Sequence, residues 1–351
     1  MIYFNILKKI ILITLLTLVS TAVLANDSDH ELKAQKNALE RAKYFANKGM
    51  QHADLFPGLA NLCDIASPIR DLSKRKKNTE KGKRKRSKNS RSAGIPPTKV
   101  FDNLYFVGTG GVSSWVIKTS DGLMLIDALN TTRQAEEYIE KGMLALGLNP
   151  ADIKYLIIGH EHGDHYGGQA YFVDKYKTRV VMGDVAWTRM EKQQLTVFSP
   201  RWGVMPKRDI TAKDGDVIRL GNTEVQIYET PGHTPGTISL IFPVFDQGKK
   251  HMVSLWGGTG LNYGPDKARI QAYTDAATRF GKIAKEQGVD IFMSNHPRRD
   301  GSATNLKALA TRTLEQPHPF VQGKTVALKA YDMLAQCTKA QVFRIESEQH
   351  K

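Results

Sequence analysis

The stretch His160-Glu161-His162-Gly163-Asp164-His165 holds three imidazoles and two carboxylates within six residues. These side chains are ligands for transition metals, and a packed core does not need so many of them. The alternating, β-branched run at 153–158 predicts a strand that ends as the histidines begin. His160 and His162 lie two residues apart in extended chain, so they can face the same metal ion.

The second half of this stretch points to a second metal ion. Gly163 lets the backbone turn, after which Asp164 and His165 can face a neighbouring position. The helical single-metal motif needs histidines four residues apart, but Asp164 stands four residues after His160. We therefore expect Glu161 to face solvent or to contact a ligand, and not to act as a catalytic base. A loop of surface histidines is the alternative interpretation.

Two further histidines follow strand-like runs downstream. His233 lies in the turn Pro231-Gly232-His233-Thr234-Pro235-Gly236, which two Pro-Gly pairs make rigid. His296 follows the strand-like run at 291–295. A single histidine at a strand end is usually structural, but together these two complete two sets of ligands.

These motifs resemble those of the metallo-β-lactamase superfamily: the HEHGDH stretch, the PGHTPG turn and the late Asn295-His296-Pro297. The resemblance extends from residue 103 to the C-terminus. It implies an α/β fold, a four-layer αβ/βα sandwich over residues 95–351 with the metals at strand ends between two sheets.

The resemblance also implies a role for each motif residue. It implies a first zinc ion on His160, His162 and His233, and a second on Asp164, His165 and His296. Asp164 would also orient the attacking hydroxide as the catalytic residue. Asp127, at a predicted strand end, would orient a ligand histidine. An aspartate that only caps a turn is the alternative for Asp127.

The segment 255–260 contains neither the bridging aspartate of most superfamily hydrolases nor the cysteine of two lactamase subclasses. This resembles the third subclass of metallo-β-lactamases, whose members often place serines here to contact the substrate carboxylate. The corresponding residues in this chain are Gly258, Thr259 and Gly260. Without those serines we expect weak β-lactam hydrolysis and a preference for substrates that lack the carboxylate. Four loop residues could line the substrate cleft: Arg201, Trp202, Asn262 and Tyr263. Simple packing at the surface is the alternative for all four.

The implied chemistry is metal-assisted acyl hydrolysis of a small molecule with two Zn²⁺ ions as cofactors. A β-lactam is the first candidate substrate, and a lactone, thioester or other ester is the alternative. A nuclease and a non-catalytic zinc-binding module are weaker alternatives. The glycine cluster at 108–114 lacks the third glycine of a dinucleotide fingerprint and the flanks of a nucleophile elbow, so we expect a turn there.

The N-terminus predicts export. Lys8 and Lys9 precede an apolar run at 10–19, and the small residues Val23 and Ala25 suit cleavage after residue 25. Residues 1–25 are thus a predicted signal peptide, and the location would be periplasmic or secreted. A retained anchor is the alternative, but the run is shorter than the ~20 residues that a span needs.

The chain has two cysteines, Cys63 and Cys337. In an oxidising compartment they could form one disulfide between the N-terminal arm, residues 26–94, and the last helix. Two separate buried thiols are the alternative. Neither cysteine is placed to bind zinc.

The formal net charge of +15 is concentrated in one segment. Residues 74–91 hold eleven Lys or Arg against one Glu, a net of +10, which leaves +5 for the other 333 residues. Such a run predicts a disordered, solvated loop. Contact with an anionic surface is the functional alternative. No nucleic-acid partner is expected, because no aromatic residue interrupts the basic ones.

Overall fold

The computed structural model describes residues 33–74, 93–195 and 197–349. The predicted signal peptide and all but the first residue of the basic run lie outside the described residues, so both stay predictions. Within the described ranges, no helix is both long enough and apolar enough to cross a bilayer.

Seven strands form the first sheet, in the order of the sequence. The first four pair antiparallel, and the parallel pairing starts between the fourth and fifth strands. The strands are β1 Thr98–Lys99, β2 Leu104–Phe106, β3 Trp115–Thr119, β4 Gly122–Ile126, β5 Ile153–Ile157, β6 Arg179–Gly183 and β7 Ile210–Ala212.

Five strands form the second sheet, in the order β12-β11-β10-β9-β8. All neighbours are antiparallel except β11 and β12, which run parallel. The strands are β8 Val217–Leu220, β9 Thr223–Glu229, β10 Ile238–Asp246, β11 Lys249–Trp256 and β12 Ile291–Ser294.

The helices cover the outer faces of both sheets. The helical segments are α1 at 33–50, a 3-10 turn at Ala60–Cys63, α2 Thr132–Gln134, a π-helical turn at Ala135–Glu140, α3 Lys141–Ala145, a 3-10 turn at Pro150–Asp152, α4 Gly163–Tyr166, α5 Gln169–Tyr176, α6 Asp184–Glu191, α7 Lys267–Glu286, α8 Ser302–Leu309 and α9 Lys324–Gln349.

Three apolar clusters hold these layers together. The central cluster lies between the sheets and joins Trp115 and Ile157 of the first to Phe242 and Leu255 of the second. A second cluster packs α3, α5 and α6 on the first sheet. A third packs α7 and α9 on the second. The predicted αβ/βα sandwich is therefore confirmed, with each sheet buried on both faces.

Several elements differ from the sequence expectation. The sequence pattern at 306–315 predicts a helix there, but the helix lies at Ser302–Leu309 and is followed by turns. Gly301, with a φ of 82°, precedes it in a left-handed conformation that favours glycine. The sequence did not predict the three-residue β7 or the eight-residue α6, because patterns this short carry little periodicity.

The described part of the N-terminal arm is built into the body of the protein. Phe56, Leu59 and Leu62 are buried in the same cluster as α7 and α9. A disulfide joins Cys63 to Cys337 of α9. The Gln341 side chain donates hydrogen bonds to the Leu62 and Asp64 carbonyls. Packing therefore shows no division at residue 95, where the sequence suggested that the catalytic domain begins.

Replacing both cysteines with alanine should lower the free energy of unfolding by about 2–5 kcal/mol. The bond spans 274 residues, so its loss frees a long loop in the unfolded chain. Urea unfolding of the oxidised protein and of the double variant measures the difference. Wild-type protein in reducing buffer should match the variant. Equal midpoints for all three samples would contradict this prediction.

Candidate metal centre

The candidate ligands lie where strands end, at one edge of the sandwich. Asp127 directly follows β4, and His160 stands three residues after the end of β5. Side chains that follow neighbouring parallel strands meet at the same sheet edge. The backbone is extended at His162, which caps α4, so the next two ligands fall in the first helical turn. The loop and the first helical turn after β5 thus carry four of the candidate ligands.

The first triad consists of His160, His162 and His233, all buried. Nδ1 of His162 lies 3.1 Å from Nε2 of His160 and 3.2 Å from Nε2 of His233. The three nitrogens therefore converge on one point. They are close enough together to bind a single ion, and they come from two separate loops.

Backbone carbonyls hold the far side of two of these rings. Nδ1 of His160 donates to the Gly257 carbonyl at 2.8 Å, and Nδ1 of His233 donates to the Gly260 carbonyl at 2.5 Å. These bonds place the proton on Nδ1 and leave the Nε2 lone pair directed to the ion. Burial lowers the pKa of His160 and His233 well below the usual value, and that of His162 to about 4. Neutral imidazole is the form that binds metal.

The second triad consists of Asp164, His165 and His296. Nε2 of His165 is buried, has no hydrogen-bond partner in the part of the chain that the structure describes, and lies 3.6 Å from an Asp164 oxygen. Nδ1 of His296 donates to the Gly111 carbonyl at 2.8 Å. Burial raises the pKa of Asp164, but the surrounding histidines outweigh burial and lower it to about 2. The carboxylate is therefore ionised, as a metal ligand must be.

Asp127 fixes the orientation of His165. Its Oδ2 accepts a hydrogen bond from Nδ1 of His165 at 2.7 Å, and its Oδ1 accepts one from the Gly159 amide at 3.0 Å. The φ of Asp127 is 59°, a conformation that aspartate and asparagine adopt more readily than most residues. The side chain thus holds the β5 loop and the ligand histidine together.

Replacing Asp127 with asparagine should weaken zinc binding about 10- to 100-fold. Asparagine keeps the size and the backbone conformation, but one of its two terminal atoms is a donor, so one of the two bonds to His165 and Gly159 is lost. Competition with a chromophoric chelator measures the affinity. Asp121→Asn, on the exposed side of the β3–β4 turn, is the control. Unchanged zinc affinity in the Asp127 variant would show that the residue only caps a turn.

Glu161 does not face solvent, which excludes the first of the two environments that the sequence left open for it. Its side chain is only 2% exposed and accepts hydrogen bonds from Arg189 at 3.0 Å and from Thr234 at 2.5 Å. Thr234 adjoins His233 in the Pro-Gly turn. Glu161 therefore ties the loop of the first two ligands to the turn that carries the third.

A cavity of about 510 Å³ opens onto both triads. Trp202 and Asn262 line it, as predicted, whereas Arg201 is exposed and is not among its lining residues. The Trp202 indole approaches Gly163 so closely that a Cβ there would lie 2.4 Å from the ring. Glycine at 163 is thus required for this contact.

The three residues at 258–260 have different environments. A Cβ on Gly258 would lie 2.4 Å from the His233 Cβ, so Gly258 packs behind a ligand and has no room for a substrate-binding side chain. Thr259 and Gly260 line the cavity. The buried Thr259 hydroxyl has no hydrogen-bond partner among the described residues. Thr259 therefore lines the cavity while its hydroxyl itself is buried.

The sequence reasoning missed three cavity-lining arginines, Arg70, Arg298 and Arg299. The last two follow His296 and Pro297 directly, and this adjacency was a usable signal. Arg70 lies in the arm, far from the ligand motifs in the sequence. No local pattern identifies Arg70, because it reaches the cavity only when the arm folds onto the loops that carry the candidate ligands.

Residues 107–244 match the family model of the metallo-beta-lactamase superfamily. A hydroxyacylglutathione hydrolase of Rhodopseudomonas palustris is 34% identical over 87 residues, which cover 25% of this chain and 28% of that protein. The acyl-coenzyme A thioesterase MBLAC2 of Bos taurus is 25% identical over 63% of this chain and 85% of its own length. The chain thus spans less than a third of the length of the hydroxyacylglutathione hydrolases from this organism.

Solved structures cover more of the chain. BJP-1, a subclass B3 metallo-beta-lactamase of Bradyrhizobium japonicum, is 26% identical with a TM-score of 0.57, over 69% of this chain and 92% of its own. The native FEZ-1 metallo-beta-lactamase of Legionella gormanii is 22% identical with a TM-score of 0.57, over 70% of this chain and 94% of its own. At this identity the match shows a shared fold alone. Residues 107–244 therefore match the metallo-beta-lactamase superfamily, and the chain has the metallo-β-lactamase fold, which resembles that of the subclass B3 enzyme BJP-1.

Proposed function

We propose that this protein is a hydrolase with two zinc ions that cleaves an acyl bond of a small-molecule substrate. The observation that carries the proposal is the pair of adjoining ligand triads at the base of one cavity. The first triad offers three imidazole nitrogens and the second offers two with a carboxylate, and zinc binds both kinds of ligand. The buried Nε2 of His165, which has no hydrogen-bond partner among the described residues, fits a bound ion.

Zinc ions at the two triads would supply hydroxide from water at neutral pH and would polarise the scissile carbonyl. The protein's own groups set the geometry around them. Asp164 is ionised and 25% exposed, so its carboxylate faces the cavity and can orient the attacking water. Trp202, roughly parallel to the His162 ring at 6.2 Å, limits the access of bulk water.

A β-lactam amide is the first candidate substrate, because BJP-1, which is 26% identical, is a metallo-β-lactamase of subclass B3. A thioester is the second, because the sequence relatives include a hydroxyacylglutathione hydrolase and an acyl-coenzyme A thioesterase. One arrangement of groups serves both, since each reaction places hydroxide on an acyl carbon.

Export to the periplasm or the medium is also part of the proposal. The apolar N-terminal run supports it, and so does the Cys63–Cys337 bond, because disulfides persist in oxidising compartments. The contact of the basic run with an anionic surface stays a prediction. A nucleic-acid substrate is not proposed.

Steady-state hydrolysis by zinc-loaded protein tests the substrate assignment. The panel is a penicillin, a cephalosporin, a carbapenem, a lactone and an acyl thioester, each assayed with wild type and with Asp164→Asn. We expect turnover of at least one β-lactam that is lost in the variant. Thioester turnover alone would favour the second candidate. If none of the five compounds is hydrolysed by protein that holds two zinc ions, the proposed function is wrong.

A further inference from the structure

The turn that carries His233 is bonded by an arginine of α7, Arg269. We propose that Arg269 is a positioning residue for the first triad, because its guanidinium group holds the main chain of His233 and is itself held by the ring of Tyr263. The inference rests on the proposed function, since it concerns the metal centre of the same site. It goes beyond that function by assigning a role to a residue that belongs to neither triad and does not line the cavity.

Arg269 bonds the turn with two donors of one planar group. Its Nε donates to the Gly232 carbonyl at 2.9 Å, and its Nη2 donates to the His233 carbonyl. The backbone of Arg269 is fixed as well, because the Asp266 side chain accepts a hydrogen bond from its amide at 3.0 Å and caps the start of α7. A guanidinium group presents its donors in a rigid fork, so the two bonds fix the orientation of the turn as well as its distance from α7.

Tyr263 holds the guanidinium group of Arg269. The guanidinium carbon lies 3.7 Å from the centre of the Tyr263 ring, a separation at which a cation is attracted to the face of an aromatic ring. Tyr263 is not among the lining residues of the cavity, although the sequence made it a candidate cleft residue. Its backbone pairs with Asp71 of the N-terminal arm in an antiparallel bridge. The arm, the Tyr263 ring, Arg269 and the His233 turn are therefore linked in series.

Close packing of α7 on the same turn makes this placement specific. Gly232 has a φ of 140°, in the region that favours glycine, and a Cβ on it would lie 2.3 Å from the Tyr273 Cβ. Tyr273 stands four residues after Arg269, about one helical turn along α7. The helix therefore supports the turn at Gly232 by packing and at His233 by a hydrogen bond. Loss of Arg269 would leave the packing in place but would free the peptide unit of the ligand residue.

The positive charge of Arg269 opposes the role that its hydrogen bonds perform. The first triad consists of three histidines, so its neutral imidazoles do not compensate the charge of a bound zinc ion. A guanidinium group bonded to the carbonyl of one ligand residue repels such an ion. Charge alone thus predicts tighter zinc binding when Arg269 is removed, whereas positioning predicts weaker binding. The sign of the change in zinc affinity distinguishes the two effects.

Arg269→Met tests the proposal, because methionine keeps an apolar stem and removes both the donors and the charge. We expect one of the two zinc equivalents to bind about 10- to 100-fold more weakly and the other to bind as in wild type. Competition with a chromophoric chelator measures both affinities. The absorption spectrum of the Co²⁺-loaded protein, which depends on the ligand geometry around the ion, should also change. Arg269→Lys keeps the charge and can bond only one carbonyl, so its loss of zinc affinity should be smaller.

Arg279→Met is the matched control on the same helix. Nη2 of Arg279 donates to the Glu229 carbonyl at 2.7 Å, and its guanidinium group pairs with Asp214, so Arg279 also ties α7 to the end of β9. Both contacts lie outside the His233 turn. We expect Arg279→Met to lower the resistance to urea and to leave the zinc affinities and the Co²⁺ spectrum unchanged. Tyr263→Phe keeps the ring and should behave like wild type, whereas Tyr263→Leu should weaken the same zinc equivalent as Arg269→Met.

Unchanged or tighter zinc binding in Arg269→Met overturns the proposal. Equal losses of zinc affinity in Arg269→Met and Arg279→Met also overturn it, because they would reflect the docking of α7 as a whole. Where Arg269→Met does not fold, Arg269→Gln gives the same comparison. Hydrolysis tests the proposed function separately. A wild-type protein that binds two zinc ions and hydrolyses none of the five compounds overturns the proposed function, and weaker zinc binding in Arg269→Met then still supports the role of Arg269.

Discussion

Replacing His233 with alanine should remove one of two zinc equivalents and lower kcat/KM by about a thousandfold, on the order of 4 kcal/mol. His233 supplies one of three converging nitrogens, and His160 is held by the Gly257 carbonyl without it. His160→Ala should affect the same ion, and His296→Ala the other. Metal analysis after dialysis, together with steady-state kinetics, measures both effects. A chelator should abolish activity, and added zinc should restore it.

His52→Ala is the control for these variants. His52 pairs with Asp332 and is not a member of either triad. Its replacement should change neither the zinc content nor kcat/KM. A wild-type stoichiometry of one zinc ion or none in metal-replete buffer would contradict the two-ion model. Full activity of His233→Ala would show that the first triad does not hold an essential ion.

Replacing Gly258 with serine should abolish activity instead of improving penicillin binding. The new Cβ would lie 2.4 Å from the His233 Cβ, a separation that real Cβ contacts essentially never show. Either His233 or the loop must shift, and the first triad loses its geometry. We expect at least a hundredfold lower kcat/KM, because a ligand displaced by 1 Å no longer serves the reaction. Kinetics and zinc content give the measurement.

Gly260→Ser is the matched control two residues away. A Cβ at that position would lie 3.0 Å from Nδ2 of the Asn262 side chain, which can move aside. We expect nearly full zinc content and at most a small loss of stability. Wild-type activity in Gly258→Ser would mean that the loop relaxes more easily than this packing indicates.

The candidate metal ligands could be identified in the sequence because most of them follow strands with clear patterns. The run at 153–158 predicts β5. Four of the candidate ligands come just after this strand: His160, His162, Asp164 and His165. Chain direction then brings them to one edge of the sandwich. The resemblance grouped these residues with His233 and His296 in the two sets that the structure brings together.

Other features depend on contacts between residues distant in the sequence. Glu161 is buried because Arg189 and Thr234 reach it from α6 and from the Pro-Gly turn. Gly258 is constrained by His233 on another loop. No local pattern encodes such neighbours. The cavity-lining Arg70 was missed for the same reason, since it reaches the cavity only after the arm folds onto α7 and α9.

The bond between Cys63 and Cys337 bears on how the protein should be prepared. The arm residues Gly58, Asn61 and Arg70 belong to the substrate cavity, and the arm is joined covalently to α9 within a few residues of them. Neither cysteine belongs to a metal triad. A recombinant sample from a reducing cytosol can therefore pass a zinc assay with both triads loaded, yet lack the covalent tether beside its substrate site. Titration of free thiols on each batch distinguishes a poorly oxidised preparation from a substrate that the enzyme does not accept.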